Sequence, residues 1–339
     1  MSAQHTAGWT RRAFLGGLTL AGTAGLLGLY PRSAATEPPP ETTLLRLHKG
    51  PGLCLAPQYV AEALLRGEGF TDIQYLTKGR VEAGEALASG ELHITMGFVG
   101  GFIVQVDQEA PIVLLAGLHG GCFELFGTDH VRAIRDLKGK TVGVTELGSG
   151  RHLFLASMLA YVGLDPRHDV TFATHPAAEA MRLLAEGKID AYQAFAQEVQ
   201  ELRAKQIGHA VVSSTVDRPW SHYFCCMAAA NREFVRHHPV ATKRALRAIL
   251  KAADVCALEP EQSARLLVDK GYTMQYDYAL QTIRAIPYNR WREYDAEDTV
   301  RFYALRLHEV GMTESGPQQI IAEGTDWRFL NELKRELKG

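Results

Sequence analysis

No Cys-x-x-Cys pair and no His-rich metal spacing occurs anywhere in the 339-residue chain. Its cysteines are only five (Cys54, Cys122, Cys225, Cys226 and Cys256). An odd, scattered set excludes the disulfide framework that staples small secreted domains. Adjacent Cys225 and Cys226 are poorly placed to bridge each other, because consecutive strand side chains point to opposite faces. We therefore read all five as buried thiols, with no metal and no cofactor expected. Charge of one sign is also lacking: the formal net charge is -2. That removes any general attraction to nucleic acid or to an anionic membrane surface. No short-period repeat or low-complexity tract interrupts the chain. The Leu147-Gly148-Ser149-Gly150 stretch lacks the Gly-x-Ser-x-Gly turn of a hydrolase nucleophile, so no catalytic residue is assigned. What remains is a mixed composition, 46% hydrophobic and 22% charged, in a chain long enough for two cores.

Residues 1–35 contain Arg11, Arg12 and Arg32 and no acidic residue. Thr10-Arg11-Arg12-Ala13-Phe14-Leu15 precedes an apolar, Gly-rich run from Gly16 to Tyr30, and Ser33-Ala34-Ala35 follows. A basic start, a short apolar stretch and a small-residue end make an export signal over 1–35. The paired arginines resemble a twin-arginine address, which implies a periplasmic protein. The apolar run of about 15 residues falls short of the roughly 20 that span a bilayer. No cysteine follows it to carry a lipid. Removing Arg11, Arg12 and Arg32 with the leader takes the net charge from -2 to -5.

After a stiff linker over 36–43, containing Pro38-Pro39-Pro40, strands and helices alternate. Strands are expected at Leu44–His48, Asp72–Leu76, Leu92–Met96 and Pro111–Gly117, with helices at Ala56–Arg66, Val81–Ala88 and Gly101–Val106. The pattern restarts at Thr141–Val144 and runs through Arg151–Val162, Val170–Ala173, Ala177–Glu186, Ile189–Tyr192, Ala196–Lys205 and Ala210–Ser213. A β-rich segment, Tyr223–Ala230, precedes a chain that is helical from Glu233 onward. This alternation predicts α/β layers with a mostly parallel sheet in each of two units.

Six ordered landmarks carry a resemblance. They are Ala56-Pro57-Gln58-Tyr59-Val60-Ala61, Gly90-Glu91-Leu92-His93-Ile94-Thr95-Met96-Gly97, Leu137-Lys138-Gly139-Lys140-Thr141-Val142-Gly143-Val144, Gly148-Ser149-Gly150-Arg151-His152, Gly187-Lys188-Ile189-Asp190-Ala191 and His238-Pro239-Val240-Ala241-Thr242-Lys243-Arg244-Ala245-Leu246. Together they resemble the nitrate/sulfonate/taurine class of ABC-transporter solute-binding proteins, related to the thiamine-precursor-binding group. His93 stands where that class usually has Asp. The resemblance implies a type II periplasmic binding fold: two α/β lobes with a ligand cleft between them and a helical C-terminal tail packed on the first lobe. Lobe I would be 44–122 plus 228–339 and lobe II 123–227, with crossings near Cys122–Gly127 and Ser221–Ala229.

Ligands of open α/β sheets sit beyond the carboxyl ends of the strands. That rule selects the loops carrying Lys49, Cys54, Phe98 and His119 in the first lobe. In the second it selects Ser149, Gly150, Arg151 and His152, then Gln193 and Gln197, and lastly Trp220 and Tyr223. Glu198 and His222 stand beside them. The Gly148–His152 helix start suits an anionic group, because helix N-termini present N–H groups and partial positive charge. Arg151 opposes that dipole unless it turns toward an anion or pairs with Glu146. Phe98, Trp220 and Tyr223 are candidate aromatic walls, and Lys49 a candidate anion partner. The expected activity is non-enzymatic: a monomer closes two lobes on a small, anionic or zwitterionic organic ligand and hands it to an ABC permease. A periplasmic sensor would share the fold and site. A synthase of the thiamine-pyrimidine type would need a fuller cysteine cluster than Tyr223-Phe224-Cys225-Cys226 supplies.

Overall fold

A computed structural model describes residues 37–50, 52–77 and 83–337. The export signal expected over 1–35 and the start of the helix expected at Val81 lie outside the described residues. In β1 (Leu44–His48) Leu45 and Leu47 are buried while their neighbours are half-buried, the alternation of a strand with one face on a core. β2 (Asp72–Leu76) runs parallel to it. The His93 N–H donates to the Arg46 carbonyl at 2.9 Å and ties β1 to the approach of β3 (Ile94–Phe98). β4 (Ile112–His119) is buried at every position. Its outer edge is covered by the tail, through a bridge from Leu114 to Thr325 and an Asp326 N–H bond to Leu114 at 2.9 Å.

The second lobe holds β5 (Phe123–Gly127), β6 (Lys140–Val144), β7 (Val170–Thr174), β8 (Ala191–Phe195) and β9 (His209–Ser213), ordered β7-β6-β8-β5-β9. β10 (Cys226–Asn231) returns to the first lobe, between β3 and β4. Each lobe therefore takes one strand from the chain arriving out of the other. β5 is antiparallel to β8 and β9, and β10 is antiparallel to β3 and β4. This corrects the expectation of mostly parallel sheets. A strand entering from the opposite lobe arrives at the other end of the sheet and must run backward, and apolar patterning carries no record of direction.

The crossings are short and packed together. The first is Gly120–Cys122, because Phe123–Gly127, expected to belong to the crossing, is strand. The second runs from Ser214 to Cys225. Ser214 Oγ accepts the Cys122 and Phe123 N–H groups at 3.1 and 3.0 Å and donates to the Phe123 carbonyl at 2.8 Å. Gly121 has φ +64, and a Cβ there would lie 2.4 Å from Thr215 Oγ1. Only glycine passes at that distance with that backbone.

Prolines open the tail helices Pro239–Leu258, Pro260–Asp269 and Pro317–Gly324, where a missing N–H costs nothing. The tail does not confine itself to the first lobe, as the resemblance implied. Pro239–Leu258 packs on Ala56–Val60, but Ala296–Glu309 packs on Gly150–Tyr161 of the second lobe. Tyr303 contributes to this by facing Phe154 of that helix at 6.4 Å, while Phe302 faces Trp220 of the second crossing at 5.7 Å.

Candidate functional site

The carboxyl ends of the parallel strands and the starts of β5 and β10 meet where the two lobes face each other, the first lobe holding the sheets β1-β2 and β3-β10-β4 and the second the five-stranded sheet. A cleft of about 800 Å³ opens there, with walls from both lobes. The first lobe contributes His48, Lys49, Gly50, Cys54 and Phe98, and the second Thr145, Glu146, Ser149, Gly150, Arg151, His175 and Phe195. Phe123, Cys225 and Cys226 line its floor where the crossings end.

The Ala56-Pro57-Gln58-Tyr59 motif explains how the first loop is held. Gln58 is fully buried; its Nε2 donates to the His48 carbonyl at 2.7 Å, and its Oε1 accepts the Met96 N–H at 3.2 Å. Tyr59 hydroxyl donates to the Gly50 carbonyl at 2.8 Å and accepts the Gly50 N–H at 3.0 Å. Gln58 thus ties β1 to β3, and Tyr59 from the same helical turn holds the loop that follows β1. Burial holds the His48 imidazole below its usual range. Lys49 Nζ reaches over the Tyr272 ring, 5.4 Å from its centroid.

In the second lobe the helix Gly150–Tyr161 points its start at the cleft. Ser149 occupies the cap position, but its Oγ donates to the Glu146 carbonyl at 2.6 Å instead of accepting a helix N–H. The first turn's N–H groups therefore carry no side-chain cap. Arg151 pairs with Glu198, not with Glu146. Its Nη2 donates to Glu198 Oε1 at 2.8 Å, its Nη1 bonds Oε2, and Nη1 also donates to the Tyr192 hydroxyl at 3.1 Å. Burial alone would lower the Arg151 pKa, but the Glu198 carboxylate raises it above the usual value.

Of the twelve residues chosen from the sequence, Lys49, Cys54, Phe98, Ser149, Gly150 and Arg151 line the cleft. The other six sit elsewhere. His119 is fully buried, its ring nitrogens 3.0 and 2.9 Å from the Gly120 and Cys54 carbonyls. His152 lies under the helix start, its Nδ1 accepting the Gly148 N–H at 3.0 Å. Gln193 is fully buried within β8, its amide without a hydrogen-bond partner among the described residues. Gln197 donates to Thr273 Oγ1 at 3.1 Å, away from the cleft. Trp220 is packed against Phe154, Tyr161 and Phe302, and Tyr223 stacks on Phe302 at 4.0 Å. For His119, His152, Gln193 and Trp220 the physical reason is shared: a loop that follows a strand offers several side chains, and those facing the interior pack. Gln197 and Tyr223 instead stay half-buried and turn to Thr273 and Phe302.

Phe123 and Phe195 were missed. Phe195 precedes its helix as Phe98 precedes the helix Val99–Asp107, so comparing the two halves residue by residue would have found it. Also missed was the gathering of thiols. All five cysteines are buried, and Cys54, Cys122 and Cys226 place their sulfurs within 4.8 Å of one another.

Residues 124–268 match the family described as NMT1-like. No curated protein matches the chain. Similar solved structures include the periplasmic nitrate-binding protein NrtA from Synechocystis PCC 6803, at 13% identity, covering 88% of this chain and 90% of that one with a TM-score of 0.71. The periplasmic aliphatic sulphonate-binding protein SsuA from Escherichia coli is 16% identical, over 83% and 92%, with a TM-score of 0.66. The desulfurization enzyme DSZB is 16% identical, over 86% and 99%, with a TM-score of 0.59. At these identities the likeness is one of fold. The chain has the two-lobed periplasmic binding-protein fold, and its residues 124–268 match the NMT1-like family.

Proposed function

We propose that the protein is an exported, periplasmic solute-binding component of an ABC importer that captures a small organic anion by closure of two lobes. The observation that carries this reading is the cleft itself: about 800 Å³, within the usual range for small ligands, at the strand ends of two lobes joined by two short crossings. The start of the helix Gly150–Tyr161 and Lys49 would receive the anionic group from opposite lobes. Phe98, Phe123 and Phe195 would wall its organic part. Residues 44–122 with 228–339 would move against 123–227, and the closed form would dock on a permease as a monomer. No covalent step is required. Residues 1–35 would direct export by the twin-arginine route. Among the described residues no helix is long and apolar enough to cross a membrane.

The test is a thermal-shift screen against sulfonates, aromatic carboxylates, nitrate, pyrimidines and amino acids. A ligand at 100 times its Kd adds about 2.7 kcal/mol to stability. An organic anion should raise the melting point, and Lys49→Ala should shrink that shift. Turnover of any of these compounds, or a shift confined to uncharged pyrimidines, would overturn the reading.

A further inference from the structure

Cys54 follows β1, Cys122 ends the first crossing and Cys226 opens β10. Three segments far apart in sequence thus bring three sulfurs to one point, each thiol no more than 5% exposed. Cys122 Sγ and Cys226 Sγ are 3.7 Å apart. A metal about 2.3 Å from each sulfur holds a thiolate pair roughly 3.8–4.0 Å apart, so this pair is already at ligand spacing and Cys54 Sγ lies within 4.8 Å of both. Cys54 and Cys226 also line the cleft floor, which provides a route in.

We propose that Cys54, Cys122 and Cys226 form a three-sulfur site for a thiophilic d10 cation, Cu(I) rather than Zn(II), loaded from the cleft. The donor set decides the class of ion, since thiolates select soft cations over hard ones. The coordination number decides between the two. Zinc is four-coordinate and would have to complete its shell here with water or solute from the cleft, whereas three thiolates alone satisfy Cu(I). The neighbouring His119 imidazole has its Nδ1 3.9 Å from Cys122 Sγ but is turned to the backbone: its two nitrogens lie 3.0 and 2.9 Å from the Gly120 and Cys54 carbonyls. His119 thereby positions Cys54 from behind, as outer-shell partners of metal ligands do. On binding, thiol protons leave to solvent and no oxidant is consumed. The site is independent of which organic solute the cleft receives.

The full chain, kept reduced and free of oxygen, is titrated with Cu(I) against a chromogenic Cu(I) chelator, and separately with Zn(II). One Cu(I) per chain is expected, held more tightly than Zn(II). Cys122→Ser and Cys226→Ser should each weaken it by on the order of 100-fold or more. Cys256→Ser, outside the group, should leave it unchanged. X-ray absorption on the unaltered protein should show three sulfur neighbours, so a serine variant that fails to fold does not remove the test. A shell of nitrogen or oxygen, tighter binding of Zn(II), or Cu(I) binding that survives Cys226→Ser would overturn the proposal.

Discussion

Arg151 and Glu198 meet at two points inside the second lobe, although 47 positions separate them. The same Glu198 oxygen also accepts the Tyr192 hydroxyl at 2.8 Å and the Phe195 N–H at 3.0 Å. The carboxylate thus fixes a cleft arginine and a cleft phenylalanine together, and removing either partner has distinct consequences.

Arg151→Ala leaves a mostly buried carboxylate without its countercharge. The pair is 16% and 15% exposed, so the loss should be about 2–4 kcal/mol, at the lower end for a buried pair. Urea unfolding should show a lower midpoint at unchanged slope. Glu198→Gln instead releases the guanidinium charge toward the cleft. Binding of an organic anion should tighten by on the order of 5-fold, the scale of one partly exposed charge pair. Calorimetry on the two variants should move in opposite directions.

Gln58→Leu strands the buried Met96 N–H and the half-buried His48 carbonyl. The buried orphaned N–H costs about 1–3 kcal/mol and sets the expected loss, since water in the cleft can satisfy the half-buried carbonyl. Amide exchange at Met96 should accelerate, which a general loss of packing elsewhere would not single out.

His93 makes stability depend on pH. Burial first, then the Arg46 and His238 charges, lower its pKa to about 4 in the folded chain, against 6.5 for the free side chain. Its Nε2 accepts from Arg46 Nε at 3.0 Å, and its ring stacks on Phe234 at 4.4 Å. The folded state holds the neutral ring, so its contribution is complete above pH 6.5 and is lost as pH falls toward 4. The slope cannot exceed about 1.4 kcal/mol per pH unit for one proton. His93→Gln should flatten the unfolding midpoint across that window.

Gly121→Ala should damage the crossings. Its φ of +64 costs an L side chain about 1–2 kcal/mol. The new Cβ would also lie 2.8 Å from Thr215 Cα, a backbone atom that cannot swing aside. Thr215→Ala should therefore fail to rescue the melting temperature. Full rescue would show that only the Thr215 hydroxyl stood in the way.

Much of the fold was legible locally. Leu45 and Leu47 alternate as a half-buried strand must, and Pro239, Pro260 and Pro317 stand at helix starts. The cleft was half legible. Strand-end logic reached Lys49, Cys54, Phe98, Ser149, Gly150 and Arg151, because position along a strand fixes which end of the sheet a loop occupies. It also drew in His119, Gln193 and Trp220, because the same position does not say whether a side chain turns to the cleft or to the core.

By itself, the sequence determined the order of strands and helices apart from β5, the two-unit plan and the glycine-lined helix start at Ser149–Gly150. These follow from period, turn chemistry and capping, all set within a few residues. Tertiary structure alone decided that β5 and β10 run backward in their sheets, that Arg151 answers to Glu198, and that Cys54, Cys122 and Cys226 converge. Each of those is a choice of partner across tens to more than a hundred residues. Apolar patterning tells a side chain which face to bury, and only the packed chain tells it against whom.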